Sequence, residues 1–471
     1  MGGLEAAIAP FSELERTWRI DAEYFKKDFL ATQDALEAIE RRNVASLVGV
    51  SDGNHFTISE DFVDEGIPYY RGQDVVGHFF VESSTPNFIT EDAFNRKYMK
   101  RSHLHRGDVL LSIVGTIGEL SLVDSEKPAT CSCKLAILRP HAISPEVLAT
   151  YLQSKHGRNQ VKRLTRGAIQ GSLLLEDMDQ LWVPTWTTDL PDRISEIVRI
   201  GRASQNLVKQ NTAKAETVLL KALGLANWTP PEPLSYVTSS TNAFASGRLD
   251  SQYFMPAKIE VQEALRKLPG KPLGERFASI RKMMNPKKDG APAVVRNFDV
   301  TDALQPILDD EKERVATEEI GSTKKTFNDG DVAISRLRAY LRQIAVVRTD
   351  GKIPSVGSSE FIVLRPKTKA DQAIAPETLL AFLRSAPVQT ILKWCQDGSQ
   401  HPRFSESDLL AIHLPDAVEA ASAEIAGIVL EGFEARRKAR SLLEAAKRAV
   451  EIAIEDSEAA ALAYLDKMGA V

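Results

Sequence analysis

The chain has 471 residues, room for roughly three units of ordinary size and for large cores without disulfide or metal staples. Hydrophobic residues at 43% and charged ones at 26% exclude a disordered or collagen-like chain. Lys and Arg number 59 against 64 Asp and Glu, so a net charge of -5 excludes a bulk attraction to nucleic acid or anionic membrane, and any such partner must be met by local patches. Cys131, Cys133 and Cys395 cannot make a disulfide framework, and a reducing cytoplasm is expected. The start MGGLEAAIAP lacks a basic n-region, and the most apolar stretch, Val109 to Val123, is broken by Gly115, Thr116, Gly118 and Glu119. Neither export nor a membrane span is expected.

In chain order, RIDAEYF at Arg19 to Phe25 opens a duplication: it recurs as RLDSQYF at Arg248 to Phe254, an offset of 229, with four of seven positions identical. YYRGQDV at Tyr69 answers to VVRNFDV at Val294, and GDVLLSI at Gly107 to GDVAISR at Gly330. LAILRP at Leu135 answers to FIVLRP at Phe361, and SPEVLATYLQS at Ser144 to APETLLAFLRS at Ala375. Gly167 and Gly398 each precede a polar loop that leads to a proline-ended run, LWVP at Pro184 and IHLP at Pro415. Within each copy, Val109 to Val114, Leu120 to Val123 and Leu135 to Leu138 read as strands, and Pro145 and Pro376 as first-turn residues of helices.

After Pro184 and Pro415 the composition turns to Ala, Glu, Lys, Arg and Leu, and residues 190 to 223 and 417 to 465 read as long helices. A heptad seam through Ile194, Ile197, Gly201, Val208, Ala215 and Val218 has a counterpart in Ile425, Ile428, Gly432, Ala439, Ala446 and Ala449. Small residues on that seam would let two backbones approach, so the helices are expected to pair. The plain alternative is two unrelated surface helices. Domain boundaries follow: a globule at 1–188, a long helix at 189–226, a Pro- and Ser-rich connector at 227–247, a second globule at 248–416 and a second long helix at 417–471.

This order, with RIDAEYF, IPYYRGQDV, GDVLLSIVGTIGELSLV and the glycine-led loops, resembles the specificity subunit of type I restriction-modification systems over about residues 11 to 460. The resemblance implies two α/β (α+β) target recognition domains in a pseudo-two-fold arrangement, joined by two long antiparallel coiled-coil helices. It implies double-stranded DNA as ligand, two methyltransferase subunits carrying S-adenosylmethionine, and restriction or translocase subunits as partners in phage defence. No cofactor and no catalysis are expected on this chain. The second copy departs from the first where RAYL, Arg338 to Leu341, replaces Gly115 to Gly118. Physical reasoning points the same way, because a 34-residue helix spans roughly 50 Å, enough to hold two unlike reading heads in major grooves about one turn or more apart.

Local charge supplies the DNA-binding candidates. Arg96 to Arg106 and Lys155 to Arg166 each carry five basic residues and no acid, and Lys324 to Arg348 is basic around Tyr340. Such runs suit phosphates, while Arg reads guanine and Asn or Gln reads adenine. The candidates are Arg71, Gln73, Arg101, Lys162, Arg163, Arg166 and Gln170 in the first half, and Arg296, Asn297, Arg336, Arg338, Tyr340, Arg342 and Arg403 in the second. The plain reading of each is a solvated charge or a turn former. Ile194, Ile197, Val208, Ile425 and Ile428 are the candidates for gripping protein partners.

The recurring Asp21, Tyr24, Asp250 and Tyr253 read as packing residues at the junction with the long helices rather than as catalysts. His103, His105, Cys131 and Cys133 match no zinc spacing, and no metal is expected. Neither a GxGxxG, a Walker motif, an NPPY nor a PD-(D/E)xK signature is present. Two other readings stand beside the first: a stand-alone enzyme with an unrecognised site, and a stand-alone DNA-binding scaffold or regulator of the same fold without a methyltransferase.

Overall fold

The computed structural model describes residues 7–8, 11, 18–82, 87–167 and 171–469. The chain divides into two compact units, residues 1–205 with 437–471, and residues 206–436.

In the first unit, helix α1 (Lys27–Glu37) is followed by β1 (Arg41–Asn43), β2 (Val48–Asp52), β3 (Phe62–Val63), β4 (Ile67–Tyr70) and β5 (Phe88–Ile89). Then come β6 (Val109–Ser112), β7 (Leu120–Leu122), β8 (Thr130–Cys131), β9 (Leu135–Pro140), α2 (Pro145–Gln153), α3 (Lys155–Leu164), β10 (Trp182–Pro184) and the 33-residue helix α4 (Leu190–Ala222). The strands form sheets β2-β9-β6-β7 and β3-β5-β4-β8, and a two-stranded ribbon β1-β10. All four residues of β6 are buried. Its alternate side chains serve different cores: Val109 and Leu111 join the helices, while Leu110 packs with Leu135, Ile137 and Cys131. A sheet covered on both faces needs continuous rather than alternating apolar runs, and this is why the strand signals were strong.

The second unit repeats the plan. It contains α5 (Pro256–Arg266), β11 (Gly270–Pro272), β12 (Phe277–Ser279), β13 (Met283–Met284), β14 (Val294–Phe298), β15 (Ile307–Asp309), β16 (Arg314–Ala316) and β17 (Lys324–Phe327). β18 (Val332–Ser335), β19 (Ile344–Arg348), β20 (Ser355–Gly357), β21 (Phe361–Pro366), α6 (Pro376–Arg384), α7 (Ala386–Cys395) and β22 (His413–Pro415) complete it. The sheets run β12-β21-β18-β19-β15 and β13-β17-β20-β14-β16, with the ribbon β11-β22. Val332 and Ile334 face the helix-side core, and Ala333 the other. Pro145 and Pro376 occupy the first turns of α2 and α6, where the missing N–H has no partner to lose.

Strand pairing corrects one of the repeats. β4 and β14 are each the parallel neighbour of a later strand, β8 and β20. After β4 the Arg71 N–H bonds the Asp74 carboxylate at 2.7 Å, and after β14 the Asp299 N–H bonds Asp302 at 2.8 Å. The turn of Arg71 and Asp74 therefore corresponds to Asp299 and Asp302. Arg296, matched to Arg71 by sequence, lies instead within a strand. The second long helical segment is also not continuous: it breaks into Asp416–Ala420, α8 (Ser422–Glu455) and α9 (Glu458–Lys467). The connector contains a short helix, Ser240–Ser246, capped by Gly247 in the left-handed region.

Each unit holds part of both long helices, and in each they pack together. In the first, a Cβ on Gly201 would meet Leu443 at 3.2 Å, and Ala439, Ala446 and Ala449 are buried. In the second, Gly432 sits over Asn211, where a Cβ would stand 3.6 Å from that side chain. Residue 201 faces the later part of α8 and residue 211 its earlier part, so the helices run antiparallel. Ile194, Ile197, Ile425 and Ile428 are consequently core residues, 0, 0, 0 and 6% exposed, and cannot grip another protein. Val208 is half-buried.

Candidate nucleic-acid interface

In both units the RxDxxYF block forms the same clamp, and it is structural. Arg19 donates to both Asp21 oxygens at 2.6 and 2.9 Å, lies 4.7 Å over the Tyr24 ring and bonds the carbonyl of Thr165 just beyond α3. Arg248 holds Asp250 at 2.5 and 2.8 Å, lies 4.8 Å over Tyr253 and bonds the carbonyl of Gln396 just beyond α7. The arginine's hydrogen bond holds each aspartate below its usual carboxylate range. The packing role expected for these residues thus falls at the end of α3 and α7, not at the long helices.

Beside each clamp an isolated antiparallel bridge ties the segment after the helix to the loop that follows β6 or β18. In the first unit Arg166 and Val114 both bridge Ser172. In the second Asp397 and Leu337 both bridge Arg403. The adjoining loop needs two left-handed residues: Gly115 (φ 85°) and Gly118 (φ 86°) in the first unit, Arg338 (φ 52°) and Arg342 (φ 50°) in the second. Glycine adopts this conformation freely, whereas an arginine there costs about 1–2 kcal/mol.

In the second unit Arg336, Arg338, Tyr340, Arg342 and Arg403 lie on these two neighbouring elements. Glu360 braces them, accepting from Arg403 at 2.8–3.3 Å and from Arg336 at 2.9 Å, and these hydrogen bonds, Arg403's first, pull its carboxyl down to about 2. Arg338 reaches His401 Nδ1 at 3.1 Å, and Tyr340 between the two left-handed arginines is 58% exposed. Arg296 and Asn297 are not part of this group. Arg296 is paired to Asp310 at 3.1 Å with its side chain 13% exposed, and Asn297 is half-buried on the other sheet.

In the first unit the Arg71–Gln73 turn lies beside the glycine loop, since a Cβ on Gly72 would stand 3.5 Å from Ser112 Oγ and 3.7 Å from Thr116 Oγ1. Gln73 is exposed, while Arg71 is half-buried with an unpartnered Nε. Gln170 lies outside the described residues. Arg163 leaves the candidate set: it is 8% exposed, its Nε donates to the Tyr24 carbonyl at 3.0 Å, and its guanidinium lies 4.2 Å over the Tyr24 ring. Helical periodicity turns it inward and leaves Lys162 exposed.

Half of the ten basic residues in the first two runs pair with acids outside those runs. Arg96 pairs with Asp61 at 2.7 Å, Arg101 with Asp52, Arg106 with Glu126 at 3.5 Å, Lys155 with Glu455 at 3.4 Å and Arg166 with Asp177 at 2.6 Å. Sequence reading missed Glu360 and His401, whose positions depend on long-range pairing. It also missed Phe56, 58% exposed, with its ring 4.4 Å from that of Tyr98 at a tilt of 41°. His103 stacks on Phe94 at 3.7 Å and bonds its carbonyl, and burial pushes the Cys131 thiol up. Among the described residues no group of three or more His, Cys, Asp or Glu is placed to hold a metal ion, and no helix is long and apolar enough to cross a membrane.

Among solved structures, two specificity subunits are similar to this chain. The type I restriction-modification S subunit from M. genitalium is similar at 15% identity and a TM-score of 0.40, covering 87% of this chain and 94% of that one. The HsdS subunit from Thermoanaerobacter tengcongensis is similar at 13% identity and a TM-score of 0.28, covering 89% and 97%. No family model and no curated protein matches the chain. Identities of this size carry no individual site residue across.

Proposed function

We propose that this chain is the DNA specificity subunit of a type I restriction-modification complex. It reads an asymmetric, bipartite double-stranded target and performs no chemistry. Methyltransferase partners supply the S-adenosylmethionine and the pocket into which the target adenine is flipped, and restriction subunits join them where present. The cell's cytoplasm is its place of action.

The observation that supports this reading best is the shared loop frame. Two units with the same clamp, the same bridges and two left-handed residues around the tip, three positions apart in one and four in the other, carry different chemistry there, glycines around Thr116 and Ile117 in one and arginines around Tyr340 in the other. A constant frame with unlike tips suits two dissimilar half-sites, because the frame sets the approach and the tip sets the base contacts. In the second unit, Arg338 and Tyr340 are the proposed base readers, with Arg336 and Arg403 held by Glu360 beside them. In the first, the Arg71–Gln73 turn, Lys162, Arg166 and Gln170 are proposed to meet the other half-site. Strain kept at an exposed loop is common at binding sites and gives nothing to a purely structural turn.

Selection from a random duplex pool with the purified full chain tests this reading. Two short, unlike motifs at one fixed separation are expected. Recovery of a single motif, a symmetric one or none overturns it.

A further inference from the structure

Within the second unit a cleft of about 130 Å³ opens between α6 and the parts of the long helices that belong to that unit. Its walls are apolar, with Leu380, Val429 and Phe433 among them, but its polar lining is mostly donors. Asn211 is 5% exposed and its amide nitrogen has no hydrogen-bond partner. Arg384 lies in the lining and is bonded only to carbonyl oxygens, those of Ala303, Leu304 and Ile344. Arg342, in its left-handed conformation, lines the same cleft. The one acid there, Glu216, accepts the Ala386 N–H at 2.9 Å and is turned to the end of α7.

The first unit shows that the charge of Arg384 is surplus to the fold. Gln153, at the matching end of α2, makes the same brace with a neutral amide, donating to the carbonyls of His78 and Leu120 at 3.3 and 3.0 Å. Burial, with Arg342 and Arg436 nearby, draws the Arg384 guanidinium down to about 10, a sign of positive charge without a counter-ion. A guanidinium kept where an amide suffices, beside an unpaired buried donor, calls for an acceptor anion.

We propose that this cleft is a carboxylate site, filled by an acidic side chain of a protein partner and held by Arg384, Arg342 and the Asn211 amide. The narrow, apolar-walled opening admits a side chain with its methylenes against Leu380 and Phe433, whereas a duplex phosphate arrives on a wide, hydrated backbone. Because the test contains no DNA, its outcome is independent of the specificity reading.

The test is calorimetric titration of the full chain with N-acetylglutamic acid α-amide, against chloride at matched ionic strength. Saturable binding is expected, weakened about tenfold or more in Arg384→Gln and in Arg342→Gly, the scale of one lost charge-assisted hydrogen bond. Both variants are expected to fold, the first by the precedent of Gln153 and the second because glycine keeps the left-handed backbone. Absence of saturable binding, or unchanged binding in either variant, overturns the site. Tighter binding of inorganic phosphate than of the carboxylate overturns the assignment of a protein side chain.

Discussion

Arg139 grips Asp108 through two parallel N–H···O bonds of 2.8 Å, and in the second unit Arg365 grips Asp331 in the same way at 2.7 and 2.8 Å. Both aspartates are almost fully buried, and each also accepts a backbone N–H, from His105 and from Asn328 at 2.8 and 2.7 Å. These pairs tie the GDV strand to the LRP strand in each globule, so two of the repeated sequence blocks are the two ends of one ion pair.

Arg139→Ala and Arg365→Ala should each destabilise their own unit by about 1–3 kcal/mol, because a buried carboxylate loses its charged donor. Urea denaturation followed by fluorescence would show the midpoint shift. A shift below the error of the measurement would mean that water replaces the guanidinium at no loss.

Acid should weaken the loop of Arg336 to Arg342, which Glu360 braces. Glu360 is held at about 2 in the fold against an ordinary 4.5, so its contribution is fully present above 4.5 and disappears as the pH falls through about 2. The stability difference between the native chain and Glu360→Gln should therefore be constant near neutrality and close to zero at pH 2. A difference independent of pH would show that the carboxylate charge plays no part.

Two helices are capped by carboxylates from the long helix of the opposite half of the sequence. Glu451 accepts the Lys155 N–H at the start of α3 at 2.8 Å, and Glu216 accepts the Ala386 N–H at the start of α7 at 2.9 Å. Loss of such a cap costs about 0.5–2 kcal/mol. Hydrogen exchange should accelerate over residues 155–164 in Glu451→Ala and over 386–395 in Glu216→Ala. Acceleration in the uncrossed pattern would contradict this arrangement.

Arg338→Gly should leave thermal stability unchanged or raised, since the left-handed backbone is relieved of its side chain. Duplex binding should weaken by about 1–3 kcal/mol, the value of one good base contact. Wild-type affinity and sequence preference in this variant would remove Arg338 from the recognition surface.

Much of the fold was legible because its signals are local. The strands around Val109 and Leu135, the helix starts at Pro145 and Pro376 and the small-residue seam at Gly201 and Gly432 each depend on neighbours a few positions away, and the duplication needs only the chain compared with itself. The site was less legible. Lys162 and Arg163 are adjacent and chemically alike, yet one faces solvent and the other lies on Tyr24. The conserved-looking match of Arg71 with Arg296 slipped because β-pairing, not residue identity, determines which turn corresponds to which.

By itself the amino-acid order determined a doubled α/β chain with two long helices and no recognisable catalytic motif, since periodicity and duplication are properties of the chain read along its length. Only the tertiary structure decided which charges stay available. Arg96 meets Asp61, Arg166 meets Asp177, and Arg403 meets Glu360, while Arg342 and Arg384 share a cleft without a carboxylate directed at them. Ion pairs act over a few ångströms of space and join residues 11 to 43 positions apart in these cases, so a run of like charges in sequence says little about the field it leaves at the surface.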